Sequence, residues 1–138
     1  MEVITREEIR SIPDIHKLIQ RQTEQLRYLN EKATSVPSGL AEGEKVQTSP
    51  DNSAGKYIDA AADLNREILQ AQTELLELQR KAALFIETLP TDTETQRLTV
   101  KVMRYRYIKC YHWWEVSKLL GYDERWIRRI ESQCISDL

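Results

Sequence analysis

Glycine and proline are scarce in this chain, at four residues each in 138. Aromatic residues make up 7% and charged ones 30%. That balance favours an all-helical protein with modest cores and long solvated faces. Cysteine is also rare. Cys110 and Cys134 carry no CxxC spacing, which excludes a disulfide framework. No apolar run approaches the length that spans a bilayer, so no membrane partner is expected. The first ten residues contain acidic groups and no apolar core segment, so no signal peptide is expected there. The simplest reading is a soluble cytosolic chain with free thiols.

Signs of catalysis are missing too. There is no HExxH, no glycine-rich phosphate loop and no nucleophile elbow. His16 and His112 lie far apart without metal-ligand spacing. No enzyme activity, metal or cofactor is expected.

Net charge is −2, which is no basic signature. The distribution is more telling. Residues 1–96 hold 11 Lys/Arg against 17 Asp/Glu, a net of −6. Residues 97–138 hold 9 against 5, a net of +4. One end of the molecule suits a polyanion and the other does not.

The chain opens with a helix start. Thr5 and Glu8 have capping-box spacing, and Ile4 and Ile9 have that of a hydrophobic staple. Pro13 should kink or restart this helix. Ile12, Ile15, Ile19, Gln22, Leu26 and Leu29 then keep three-four spacing to about residue 32, a heptad seam with one polar member. Residues 33–55, ATSVPSGLAEGEKVQTSPDNSAG, read as a long flexible connector. A second long helix follows over about 56–89. Its seam is Ala61, Leu64, Ile68, Ala71, Leu75, Leu78, Ala82, Phe85 and Leu89. The two helices should fold into an antiparallel coiled-coil hairpin, residues 1–90, acting as an oligomerisation or partner arm. An isolated pair buries little, so a homodimer or higher homo-oligomer is expected.

Leu89-Pro90-Thr91-Asp92 ends that helix, with Thr91 or Asp92 placed to cap the next. Residues 91–138 should form a small three-helix domain. Its third helix, about 93–109, should bury Leu98, Val102, Tyr105 and Ile108. The fourth, about 112–120, offers Trp113, Val116, Leu119 and Leu120, with Trp114 half exposed. Gly121 ends it, and Asp123 caps a fifth helix over 123–136. Ile127 and Ile130 face the core while Arg125, Arg128 and Arg129 lie on its other sides. So tight a turn makes a helix-turn-helix, whose second helix suits the DNA major groove.

The run RYIKCYHWWEVSKLLGYDERWIRRI resembles region 4 of the bacterial sigma-70 type factors. Arg106-Tyr107-Ile108 matches the lead, Glu115-Val116-Ser117 the middle and Leu120-Gly121 the turn. Ser117 takes the small-residue place where the helices cross, and Asp123 the capping place. Cys110-Tyr111 departs from the pattern, standing where a glycine is usual. The whole layout, including a Val-x-x-Ser-Pro-like element from Val46 to Pro50, resembles phage late transcription regulators of the ArpU and RinA kind. The resemblance implies a phage DNA-binding regulator in the cytoplasm of a bacterial host.

Helix-turn-helix geometry assigns the roles. Arg125 and Arg128 are expected on base edges of double-stranded DNA. Arg129 and Lys118, with Arg104 or Arg106, are expected on phosphates. Glu124 either accepts from cytosine or points to solvent. Trp126 either packs on the third helix or lies along the DNA backbone. The bland alternative pairs the arginines with Glu124 and Glu131. Competing functions are a small terminase-like packaging subunit and a module that contacts RNA polymerase.

Overall fold

The computed structural model describes the backbone of residues 3–40 and 53–138, and the side chains of 3–34 and 55–138. Among the described residues every regular element is helical. The Thr5 capping box forms. Glu8 N–H donates to Thr5 Oγ1 at 3.1 Å, and Thr5 N–H donates to Glu8 Oε1 at 2.9 Å. Helix α1 then runs Arg6–Leu40 without restarting at Pro13. The ring removes one backbone hydrogen bond, a cost of about 3 kcal/mol in a helix interior. Ile9 and Ile12 before it are fully buried, and Ile15 after it packs on the same cluster. Burial of each such side chain is worth roughly 1.5–3 kcal/mol, so the packing outweighs the lost bond.

Nor does α1 stop near residue 32. Propagation adds a hydrogen bond for each residue fixed, and the helix continues. Helix α2 runs Ser53–Glu87 and begins earlier than expected. The rest of the expected connector, residues 41–52 with Val46 to Pro50, lies outside the described residues. The two long helices pack against each other.

The chain does not divide at residue 90. One unit takes Met1–His16 with Glu74–Leu138, and the other takes Lys17–Thr73. The reason is a shared core. Ile4, Ile9 and Ile12 from the start of the chain and Leu78, Ala82 and Ile86 from the end of α2 cluster with Met103, Tyr107 and Ile135. Ile86 takes a buried place here, whereas the expected Phe85 and Leu89 are half-buried. Leu78, Ala82 and Ile86 advance by four, as a straight helix drifts off a 3.5-residue repeat. Lys81 Nζ meets Glu8 Oε2 at 3.1 Å, and Arg6 Nη2 donates to Ser136 O at 3.1 Å.

In the Lys17–Thr73 unit, Ala61, Leu64, Ile68 and Ala71 are buried. Ile19, Gln22, Leu26 and Leu29 are only half-buried. Gln22 Nε2 donates to Glu67 Oε1 at 3.4 Å, so the polar seam position has a partner across the pair.

The larger unit continues with α3, Glu94–Met103. Its cap is Thr93, not Thr91 or Asp92. Gln96 N–H donates to Thr93 Oγ1, while Gln96 Oε1 accepts from Thr93 N–H at 2.9 Å and Asp92 N–H at 2.8 Å. The helix ends sooner than residue 109. It widens into one π-helical turn, Arg104–Ile108, where Lys109 N–H reaches back to Arg104 O. Cys110 then takes φ 59°, the left-handed region. Helix α4 spans Trp113–Leu120 and α5 spans Glu124–Ser136. Val102, Val116 and Ile127 form a second small core with Leu98, Tyr105, Tyr111, Trp113 and Leu120 around it. Leu119, expected inside, is 59% exposed, because the α4 face that carries Val116 already meets the core.

Candidate nucleic-acid interface

The turn between α4 and α5 has three residues, Gly121 to Asp123. Gly121 has φ 76°, ψ 24°, and its N–H donates to Ser117 O at 2.9 Å. Ser117 Oγ donates to Tyr122 O at 2.5 Å. One small residue therefore holds both sides of the turn. Asp123 occupies the cap position with extended backbone, but its side chain makes no capping bond, a correction to the expected role. Among the described residues, its carboxylate is left to solvent and to the helix dipole.

Helix α5 is sharply two-faced. Ile127, Ile130, Glu131 and Ile135 are buried. Arg125, Arg128, Arg129 and Ser132 are exposed on the other side. Spacings of three and four residues make these neighbours on one surface. The side chains of Arg125 and Arg129 make no hydrogen bond or ion pair among the described residues, and neither do those of Lys118 or Arg104. Arg128 differs. Its Nη2 lies 3.1 Å from Glu124 Oε1, and its guanidinium lies 5.5 Å from the Trp113 ring centroid. The acid expected to contact cytosine or solvent is thus paired with an arginine. The tie is weak: an exposed i,i+4 pair contributes about 0.3–0.5 kcal/mol, and an exposed cation–π contact about 0.5–1 kcal/mol. A good arginine–guanine pair contributes about 1–3 kcal/mol, so Arg128 can exchange one partner for another.

Arg106 is committed inward. Its guanidinium lies 4.8 Å from the Trp113 ring centroid, and its Nη1 donates to Tyr111 O at 3.0 Å. Its buried Nε finds no partner among the described residues. Arg104, by contrast, is exposed beside it. Trp126 sits on the flank of α5 that meets α3. It lines a cleft of about 290 Å³ with Thr95, Gln96, Thr99, Phe85 and Leu89, and is 40% exposed. Of the two placements left open for this ring, that is the one against the third helix. Trp114 is exposed and stacks on His112 at 6.4 Å.

Glu131 does not pair with the arginines of its own helix. It is 3% exposed, accepts from the Tyr107 hydroxyl, and has Arg10 Nη2 3.9 Å from Oε1. Burial, then the neighbouring carboxylate, drives the Tyr107 phenol pKa well up. Both cysteines are free. Burial raises the Cys110 thiol, and raises Cys134 to about 11, so both stay protonated at neutral pH.

No family model, curated protein or solved structure matches the chain.

Among the described residues no helix is long and apolar enough to cross a membrane. The site therefore rests on its own geometry. It consists of an exposed guanidinium face on a helix fixed by a three-residue turn, with Lys118 on α4 and Arg104 at the end of α3 also exposed. Glu131, Gln79 and the π-helical turn escape sequence reading. A glutamate is seldom buried unless paired, and its partners Tyr107 and Arg10 are remote in sequence.

Proposed function

We propose that this chain is a sequence-specific DNA-binding transcriptional regulator that lays α5 in the major groove. One observation carries the reading. The side chains of Arg125 and Arg129 stand outward one turn apart without partners among the described residues, on a helix separated from α4 by a three-residue turn. That arrangement supplies charge and donors on a rigid support, which is what base and phosphate recognition requires. Arg125 and Arg128 address bases. Arg129, Lys118 and Arg104 address phosphates, and Arg106 braces Trp113. The resemblance to sigma-70 region 4 and to phage late regulators supports the same use.

Exposed Ile58 and Leu69 on α2 support self-association. A two-fold dimer would set its recognition helices on half-sites about 34 Å apart. Sedimentation at several concentrations measures that part of the proposal.

The test is selection from random-sequence duplex DNA, followed by titration of the enriched site. Arg125→Ala and Arg128→Ala should each relax base preference by about 1–3 kcal/mol. Lys118→Ala should weaken all sequences alike and lower the salt slope by about 1. Failure of the wild-type chain to enrich any sequence at low salt overturns the proposal. Wild-type affinity and salt slope in all three variants overturns the assigned face.

A further inference from the structure

Between α3 and α4 the chain must reverse without a glycine. The turn is held open by wide hydrogen bonds, Lys109 N–H to Arg104 O and Tyr111 N–H to Tyr105 O, both 3.0 Å. Cys110 occupies the left-handed region at φ 59°, where its Cβ is disfavoured. A helix ending this way leaves its last carbonyls without donors from its own backbone. The Cys110 thiol makes a long contact to Tyr107 O at 3.8 Å, and the nitrogen donor arrives from another helix. Gln79 Nε2 on α2 lies 3.0 Å from Tyr107 O, 3.0 Å from Ile108 O and 3.4 Å from Cys110 Sγ. A primary amide has two N–H groups, which serve the two carbonyls, while the sulfur can only share. Gln79 is itself half-buried, so water replaces it poorly. The residues that follow the turn begin α4 and bring Trp113 under Arg106 and Arg128.

We infer that Gln79 is a positioning residue for the DNA-reading face: its side-chain amide caps the Tyr107 and Ile108 carbonyls and holds the strained Cys110 turn that aims α4. This inference rests on the DNA-binding reading. Gln79 acts through the turn and touches no DNA.

Gln79→Met tests it, since methionine keeps the length and removes both donors. Amide exchange at Lys109 and Tyr111 should accelerate at least about tenfold, the effect of losing a net hydrogen bond to buried carbonyls. Protection along α5 should stay unchanged. At a temperature where the variant is fully folded, affinity for the selected DNA site should fall about tenfold. Adding Cys110→Gly removes the left-handed penalty and should restore both readings. It also supplies a folded background if Gln79→Met alone unfolds. A merely structural glutamine would lower melting temperature without changing the affinity of folded protein. Wild-type exchange at Lys109 and Tyr111 overturns the inference, as does faster exchange with unchanged affinity, or no rescue by Cys110→Gly. If the wild-type chain selects no DNA, the interface reading falls by itself. The exchange measurements then still decide whether Gln79 holds the turn.

Discussion

The two units of this molecule bury their seams to very different degrees. In the larger, nine buried side chains from both ends of the chain form one cluster, and Ile9, Ile12, Met103 and Ile135 are wholly inaccessible. In the smaller, only the α2 side of the seam is buried, and the α1 side stays half open. The contrast follows from geometry. A helix pair covers one stripe of each partner, whereas in the larger unit the same stripe also meets Met103, Tyr107 and Ile135 and is closed off more completely. Sequence periodicity looks alike in both units, so a regular seam is no measure of how much it buries.

The sharpest way to break this comparison is by deletion. A fragment of residues 91–138 should fail to fold, because it exposes Met103, Tyr107 and Ile135. Excising Lys17–Thr73 and bridging the gap with a short Gly/Ser loop should leave a cooperatively folded unit, since Ile15 and Leu75 pack on the same cluster. Circular dichroism melts of the two shortened proteins are the check, and a stable 91–138 fragment would reverse the assignment of the core.

Point substitutions grade the same difference. Ile12→Ala should cost about 4 kcal/mol and Leu64→Ala about 2 kcal/mol, the upper and lower parts of the range for large-to-small changes. The open pair can collapse around its cavity and the closed cluster cannot. Equal losses in urea titrations would mean the smaller unit is better packed than its exposure implies.

A smaller effect is expected at the buried acid. Tyr107→Phe removes the hydroxyl that Glu131 accepts from and, among the described residues, leaves Arg10 facing that carboxylate. The loss should be about 1–3 kcal/mol. Adding Glu131→Gln should recover part of it, because a neutral amide costs less to bury unpaired.

The smallest effect concerns acid pH. The Thr5 backbone hydrogen bond, with Lys81 beside it, holds the Glu8 carboxyl below its ordinary value. A depressed folded pKa adds stability above the unfolded value, and that share is lost as pH falls through the folded one. Glu8→Gln should lower the melting temperature slightly at neutral and alkaline pH and converge with the wild type in acid, which flattens the acid limb of the profile. Glu8 is partly exposed to solvent, so its contribution should also shrink in high salt.

What could be read from sequence was local. The Thr5–Glu8 box, the Gly121 turn, the outward arginines and the inward Ile127 and Ile130 all depend on neighbours within one or two turns. What escaped was tertiary. Periodicity cannot show that Ile4, Ile9 and Ile12 would leave the seam of a two-helix arm for the core around Met103 and Tyr107. It cannot show that Glu131 would be buried, because its partners lie 24 and 121 residues away. Pro13 promised a break that packing on both sides overrode. Cys110 standing where a glycine is usual marked the turn as special, but the donor that steadies it, at Gln79, was out of reach of sequence reading.

One cluster unites Ile4 with Ile135. Its first member leaves the ribosome long before its last, at about 5–20 residues per second. During that wait, seconds long, the isoleucines near the amino terminus have no native lining to enter and are open to chaperones or to neighbouring nascent chains. Closure must wait until Ile135 has been synthesised, so a ribosome stalled before that codon would display a helical but unfinished product.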